Sequence, residues 1–150
     1  MRLVSTLRTF FISPEMVLIL LPFALMPYAS FIDNIASMLA DKKYELFVAA
    51  AYPFGVLLYA LTQAGSLIAP TGKRAILLDW PGYGELKSTI YIAVALILTS
   101  LSVSLWGYVD FVLHGGRFGI IAIAAGGLSS SVCAFTVLLA HWKSRELLGE

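Results

Sequence analysis

Residues 118–140, FGIIAIAAGGLSSSVCAFTVLLA, contain no charged side chain. A helix needs roughly 17 to 25 apolar residues to cross about 30 Å of hydrocarbon, so this stretch reads as a transmembrane helix. Its small residues carry a second message. Ala122, Gly126, Ser130 and Ala134 recur at every fourth position, and Gly127 and Ser131 widen the stripe. In lipid, close backbone approach is a main source of helix association, and small side chains permit it. This face is expected to pack against another helix, within the subunit or across a homo-oligomer.

The rest of the chain repeats the apolar pattern. Charge-free runs also cover residues 16–32, 46–72 and 88–109, and composition agrees, with 59% hydrophobic residues, 13% charged and a mean hydropathy of +0.87. Soluble domains are nearer half apolar and a quarter charged. The expected fold is an all-α membrane protein, one four-helix transmembrane domain over residues 1–150 with spans at about 15–32, 46–70, 88–109 and 118–140. Barrel strands are excluded because the runs are long and do not alternate. Pro53 and Gly55 are expected to bend the second span.

Lysine and arginine set the orientation. With the amino terminus inside, Arg2, Arg8, Lys73, Arg74, Lys87, Lys143 and Arg145 fall on the cytoplasmic side, against Lys42, Lys43 and Arg117 outside. Both termini are expected in the cytoplasm of a bacterium, the chain being multi-pass in its inner membrane. Pro22 and Pro27 interrupt the first run, and Tyr28-Ala29-Ser30 is a poor cleavage site, so this run reads as a retained span. Ser13, Pro14 and Glu15 supply a helix N-cap, first-turn proline and first-turn acid before it. Between the first two spans Ile32, Ile35, Ala36 and Leu39 recur at helical spacing, which predicts a short interfacial helix or an extension of span two.

Gly82-Tyr83-Gly84 reproduces part of a potassium-channel selectivity filter. Trp80 and Pro81 precede it, however, and proline imposes its own backbone geometry where the filter has valine. The segment before it is short and charged, and the charge bias places it inside. The loop is better suited to turning and docking: Pro81-Gly82 favours a tight turn, and Trp80 and Tyr83 supply rigid aromatic surface beside Lys73, Arg74 and Asp79. With Lys143 and Arg145, these residues are the expected docking surface for a cytoplasmic protein.

The central part of each span lacks Asp, Glu, Lys, Arg and His, the residues that mark proton relays and ion pathways. Gln63, Thr62, Thr99, Ser100, Ser102, Ser104 and Ser129 to Ser131 are the polar groups there. Such hydroxyls usually bond to helix carbonyls or bridge helices. Cys133, the single cysteine, sits among small residues as an inert packing group. His114 and His141 lie near opposite faces and cannot share a metal. Gly127-Leu128-Ser129 resembles an intramembrane serine-protease motif, without a midplane histidine to activate the serine. No catalytic site, cofactor, metal or direct nucleic-acid contact is expected.

In its four apolar runs, inward-facing termini and the compact loop containing Asp79-Trp80-Pro81-Gly82-Tyr83, the chain resembles the small membrane subunits of bacterial defence systems, in particular the KwaA family of the Kiwa anti-phage system. That resemblance implies an inner-membrane homo-oligomer, a tetramer, that senses phage attack and acts through a KwaB-like DNA-binding effector. The expected function is a non-enzymatic sensor or scaffold that recruits a cytoplasmic effector. A small oligomeric channel or transporter, and an immunity protein against a pore-forming toxin, are the alternatives with the same layout.

Overall fold

The computed structural model describes residues 30–69 and 78–148. Most of the first expected span lies outside them, as do Lys73 and Arg74. All regular structure among the described residues is helical: α1 (Ser30–Leu39), α2 (Lys43–Ile68), α3 (Tyr83–His114) and α4 (Arg117–Leu148). The three longer helices are long and apolar enough to cross a membrane, which makes the chain a multi-pass helical membrane protein.

Helix α1 is the short amphipathic element expected from Ile35, Ala36 and Leu39. A turn separates it from α2, closed by the Lys42 amide donating to the Leu39 carbonyl at 2.9 Å. Ala36 and Leu39 then share an apolar cluster with Leu46 and Ala50 of α2, Phe111 of α3, and Ile120 and Ile123 of α4. The element is therefore a separate helix folded onto one end of the bundle.

α3 and α4 exceed the expected spans, and α2 is shifted towards its amino end. α3 starts at Tyr83 and ends at His114, where charge-free runs gave 88 and 109, and α4 continues to Leu148. Absence of charge marks the hydrocarbon crossing, whereas a backbone ladder continues into the headgroup layer, where charged side chains are solvated. At about 1.5 Å per residue, helices of this length reach about 48 Å, beyond the roughly 30 Å apolar core. α2 runs through Pro53 without a break in the helix, although proline gives the Ala49 carbonyl no amide.

α3 and α4 form an antiparallel hairpin. Gly115, at φ 66°, ends α3 in the left-handed conformation that glycine adopts without a Cβ penalty, and its amide bonds back to Phe111 at 2.8 Å. Beyond that turn the buried seam follows steps of three and four residues: Ile90, Ala93, Ile97, Ser100, Ser104, Gly107 and Phe111 on α3, and Gly119, Ala122, Gly126, Ser129 and Cys133 on α4. A seven-residue repeat of this kind keeps two helices in contact by winding them gently left-handed.

α2 lies in the groove of that hairpin. Leu57 and Ala60 pack with Ala93, Leu96, Ile97, Cys133 and Val137, while Ala64 and Leu67 pack with Ile90 at the end carrying the α2–α3 connection. α2 buries the smallest share of its span and α4 the largest. Phe47, Phe54, Leu58, Leu98, Trp106, Leu128, Phe135 and Trp142 remain exposed, an apolar surface of the kind that lipid covers.

Candidate functional site

The alternation of the helices brings Asp79, Trp80, Tyr83, Lys87, Lys143 and Arg145 to one end of the bundle, and Lys42, Lys43, Asp110, His114 and Arg117 to the other. This end-to-end separation of the basic residues follows the grouping used to orient the chain. Lys73 and Arg74 belong to the connection at the first end and lie outside the described residues.

Two of the expected docking residues have internal work. The Tyr83 hydroxyl donates to the Ile68 carbonyl at 2.8 Å, satisfying an orphan acceptor in the last turn of α2 and tying it to the first residue of α3. Trp80 folds over Gly82 so closely that a Cβ there would lie 2.6 Å from the indole Cζ2. The turn is closed by the Tyr83 amide on the Trp80 carbonyl at 3.0 Å, and the Leu86 amide on Gly82 at 3.1 Å starts the helix. A side chain at Gly82 would have to displace the indole. The φ of Gly82, −83°, is open to any residue.

What this leaves outward is a mixed surface. Leu78, Asp79 and Pro81 are exposed and Trp80 is half-buried. Lys87 extends between the rings of Tyr83 and Tyr91, one helical turn to either side, at 6.0 and 5.9 Å from their centroids. Placed at the limit of cation–π range, it shields apolar ring faces and keeps its charge near water. On α4, Lys143 pairs with Glu146 at 3.1 Å, both exposed, and Arg145 is exposed beside them. Such a pair is worth little to stability, so these charges are available to a partner at small cost.

The helix-packing residues divide. Ala122, Gly126 and Ser130 are buried inside the subunit. A Cβ at Gly126 would lie 2.6 Å from the Ser100 carbonyl oxygen, so α3 fills this face. Ala134 is only half-buried, because a strict four-residue repeat drifts about 40° per step around a helix of 3.6 residues per turn. Gly127 faces α2, where a Cβ would meet the Tyr52 ring at 3.8 Å. The Tyr52 hydroxyl and Ser131 Oγ are 3.0 Å apart, an interhelical hydrogen bond, and Ser131 itself donates to Gly127.

Sequence reasoning missed the partners of the stripe. Gly107 and Gly119 make the tightest contact, since a Cβ at Gly107 would lie 2.6 Å from that of Ala122 and 2.7 Å from the Gly119 carbonyl. The signal was present in the three-and-four spacing of Ser100, Ser104, Gly107 and Phe111. Most hydroxyls are spent on their own helix, including those of Thr62, Thr99, Ser100, Ser102 and Ser130. Ser104 and Ser129 are the exceptions: both are fully buried, and neither Oγ has a hydrogen-bond partner among the described residues.

Among the described residues, no group of three or more His, Cys, Asp or Glu side chains could hold a metal ion. No protein-family model matches the chain, and comparisons with characterised proteins and with solved structures find no match.

Proposed function

We propose that this chain is a non-enzymatic membrane scaffold whose α2–α3 connection, together with the end of α4, recruits a soluble cytoplasmic protein. The supporting observation is the braced turn. Tyr83 fixes it to α2, and the brace holds Trp80, Pro81 and Asp79 at the same end of the bundle as the exposed Lys143 and Arg145. A rigid aromatic residue beside charge is the composition of an interface hot spot. Exposed apolar faces, above all on α2, are available to copies of the chain as well as to lipid, which supports assembly into a homo-oligomer.

The resemblance to Kiwa membrane subunits extends this reading to anti-phage defence at the bacterial inner membrane, with a KwaB-like effector as the soluble partner. The test is affinity purification from native membranes in mild detergent, followed by identification of stoichiometric soluble proteins. Recruitment is expected with the wild-type chain and is expected to fall at least tenfold in Trp80→Ala and in Lys143→Glu/Arg145→Glu, with the membrane assembly unchanged. Recovery of the oligomer alone would overturn the recruitment reading.

A further inference from the structure

The rings of Phe47 and Tyr108 meet edge to face, with centroids 5.4 Å apart, and tie α2 to α3 at the Gly115 end of the bundle. At the other end the tie is the Tyr83 hydroxyl on Ile68. Between the two ties a groove stays open along the surface. Phe54, Leu61 and Gly65 lie within about 40° of Phe47 around α2 and form one wall. Lys87, Tyr91 and Leu98 lie about 40° to 80° beyond Tyr83 around α3, turned outward, and form the other. Phe54, Leu61, Tyr91 and Leu98 are 52%, 48%, 52% and 47% exposed, and a Cβ at Gly65 would meet nothing within 4 Å.

Lys87 puts an unneutralised charge into that groove. It is half-buried, and neither ion pair described includes it. No acid stands three or four residues from it, and Glu85 lies about 160° away around α3. The rings of Tyr83 and Tyr91 do little to replace an anion, because 6.0 and 5.9 Å are at the limit of cation–π range. Ala64 packs with Ile90, which sets Gly65 and Lys87 at similar depth. The emptiest part of the groove therefore lies beside the ammonium.

We propose that Lys87 binds the phosphate of an anionic phospholipid, one acyl chain of which lies in the groove beside Gly65, Leu61 and Leu98. The dimensions fit such an occupant. At about 1.5 Å per residue, Leu98 is about 16 Å along α3 from Lys87, and Phe54 is about 16 Å along α2 from Gly65. One leaflet contributes about 15 Å of hydrocarbon. The charge selects the headgroup. Phosphatidylcholine carries its own cation beside the phosphate, whereas phosphatidylglycerol has none and leaves its charge for the protein to neutralise.

Lipid titration tests the site: phosphatidylglycerol or phosphatidylcholine is added to the delipidated protein in detergent, and bound lipids are counted by native mass spectrometry. Phosphatidylglycerol is expected to bind more tightly than phosphatidylcholine. Its affinity is expected to fall about fivefold in Lys87→Gln, the worth of about one lysine against an anionic lipid, and to survive in Lys87→Arg. Lys43→Gln, which removes the same charge from the opposite end, should leave it unchanged. Gly65→Leu fills the groove where a side chain meets nothing, so it is expected to weaken phosphatidylglycerol binding while keeping the wild-type denaturation midpoint. Equal losses in Lys87→Gln and Lys43→Gln would reduce the effect to net charge, and equal binding of the two lipids would remove the headgroup assignment. Unchanged binding in Gly65→Leu would leave a headgroup or soluble-anion contact without a seated chain. Each of these outcomes overturns the proposal.

Discussion

Gly119 lies against the backbone carbonyl of Gly107, and no side chain fits between them. Around this contact two helices approach to backbone distance, with Ala122 on one side and Phe111 on the other. The ion pairs described, Asp110–His114 and Lys143–Glu146, each lie within one helix.

Bulk at that contact should therefore be costly. Gly119→Val and Gly107→Val are expected to destabilise the protein by about 1–3 kcal/mol, the usual cost of overpacking. Gly55→Ala and Gly65→Ala, which meet nothing within 4 Å, should be neutral or stabilising, because alanine loses less backbone entropy in a helix. Reversible denaturation in mixed micelles measures all four, and equal losses would remove the assigned packing.

The brace between α2 and α3 is one hydrogen bond. Tyr83→Phe should cost about 1 kcal/mol and increase amide exchange in the last turn of α2, near Ile68. Exchange unchanged in that turn would show that the tie does not hold it.

Tyr52 and Ser131 share an interhelical hydrogen bond at the bundle surface. A double-mutant cycle with Tyr52→Phe and Ser131→Ala should give a coupling of about 0.6 kcal/mol, the average for such bonds in membrane proteins. Zero coupling would mean that the pair is not formed.

Lys143 and Glu146 separate stability from recruitment. Reversing either charge should change stability by no more than about 1 kcal/mol, since both are exposed. An equally small effect on partner capture by Lys143→Glu/Arg145→Glu would move the docking surface away from the end of α4.

Cys133 is fully buried in the cluster with Leu57 and Ile97. Maleimide should leave it unmodified in native membranes and label it after denaturation, because an enclosed thiol is inaccessible to the reagent. Rapid native labelling would show that the seam opens.

Three crossing helices were legible in the sequence among the described residues, because hydrocarbon demands long charge-free runs. The small-residue stripe was legible on α4 and partly misread. Ala122, Gly126 and Ser130 were visible as a four-residue repeat, but the packed face follows alternating steps of three and four, so Ala134 drifts off it. Gly107 was hidden for a different reason: no other glycine of α3 lies near it, and its importance depends on what stands opposite. At the docking surface, Trp80 and Tyr83 were legible as large aromatics. Their internal contacts, with Gly82 and Ile68, depend on the path of a turn that composition does not specify.

The glycine-seamed hairpin also has a mechanical consequence. Two helices of about 48 Å, joined by two glycines and packed along much of their length, form a stiff lever through the bilayer. A displacement applied at the turn of Gly115 and Gly116 would be shared by both arms and felt at the end that holds Tyr83 and Lys143.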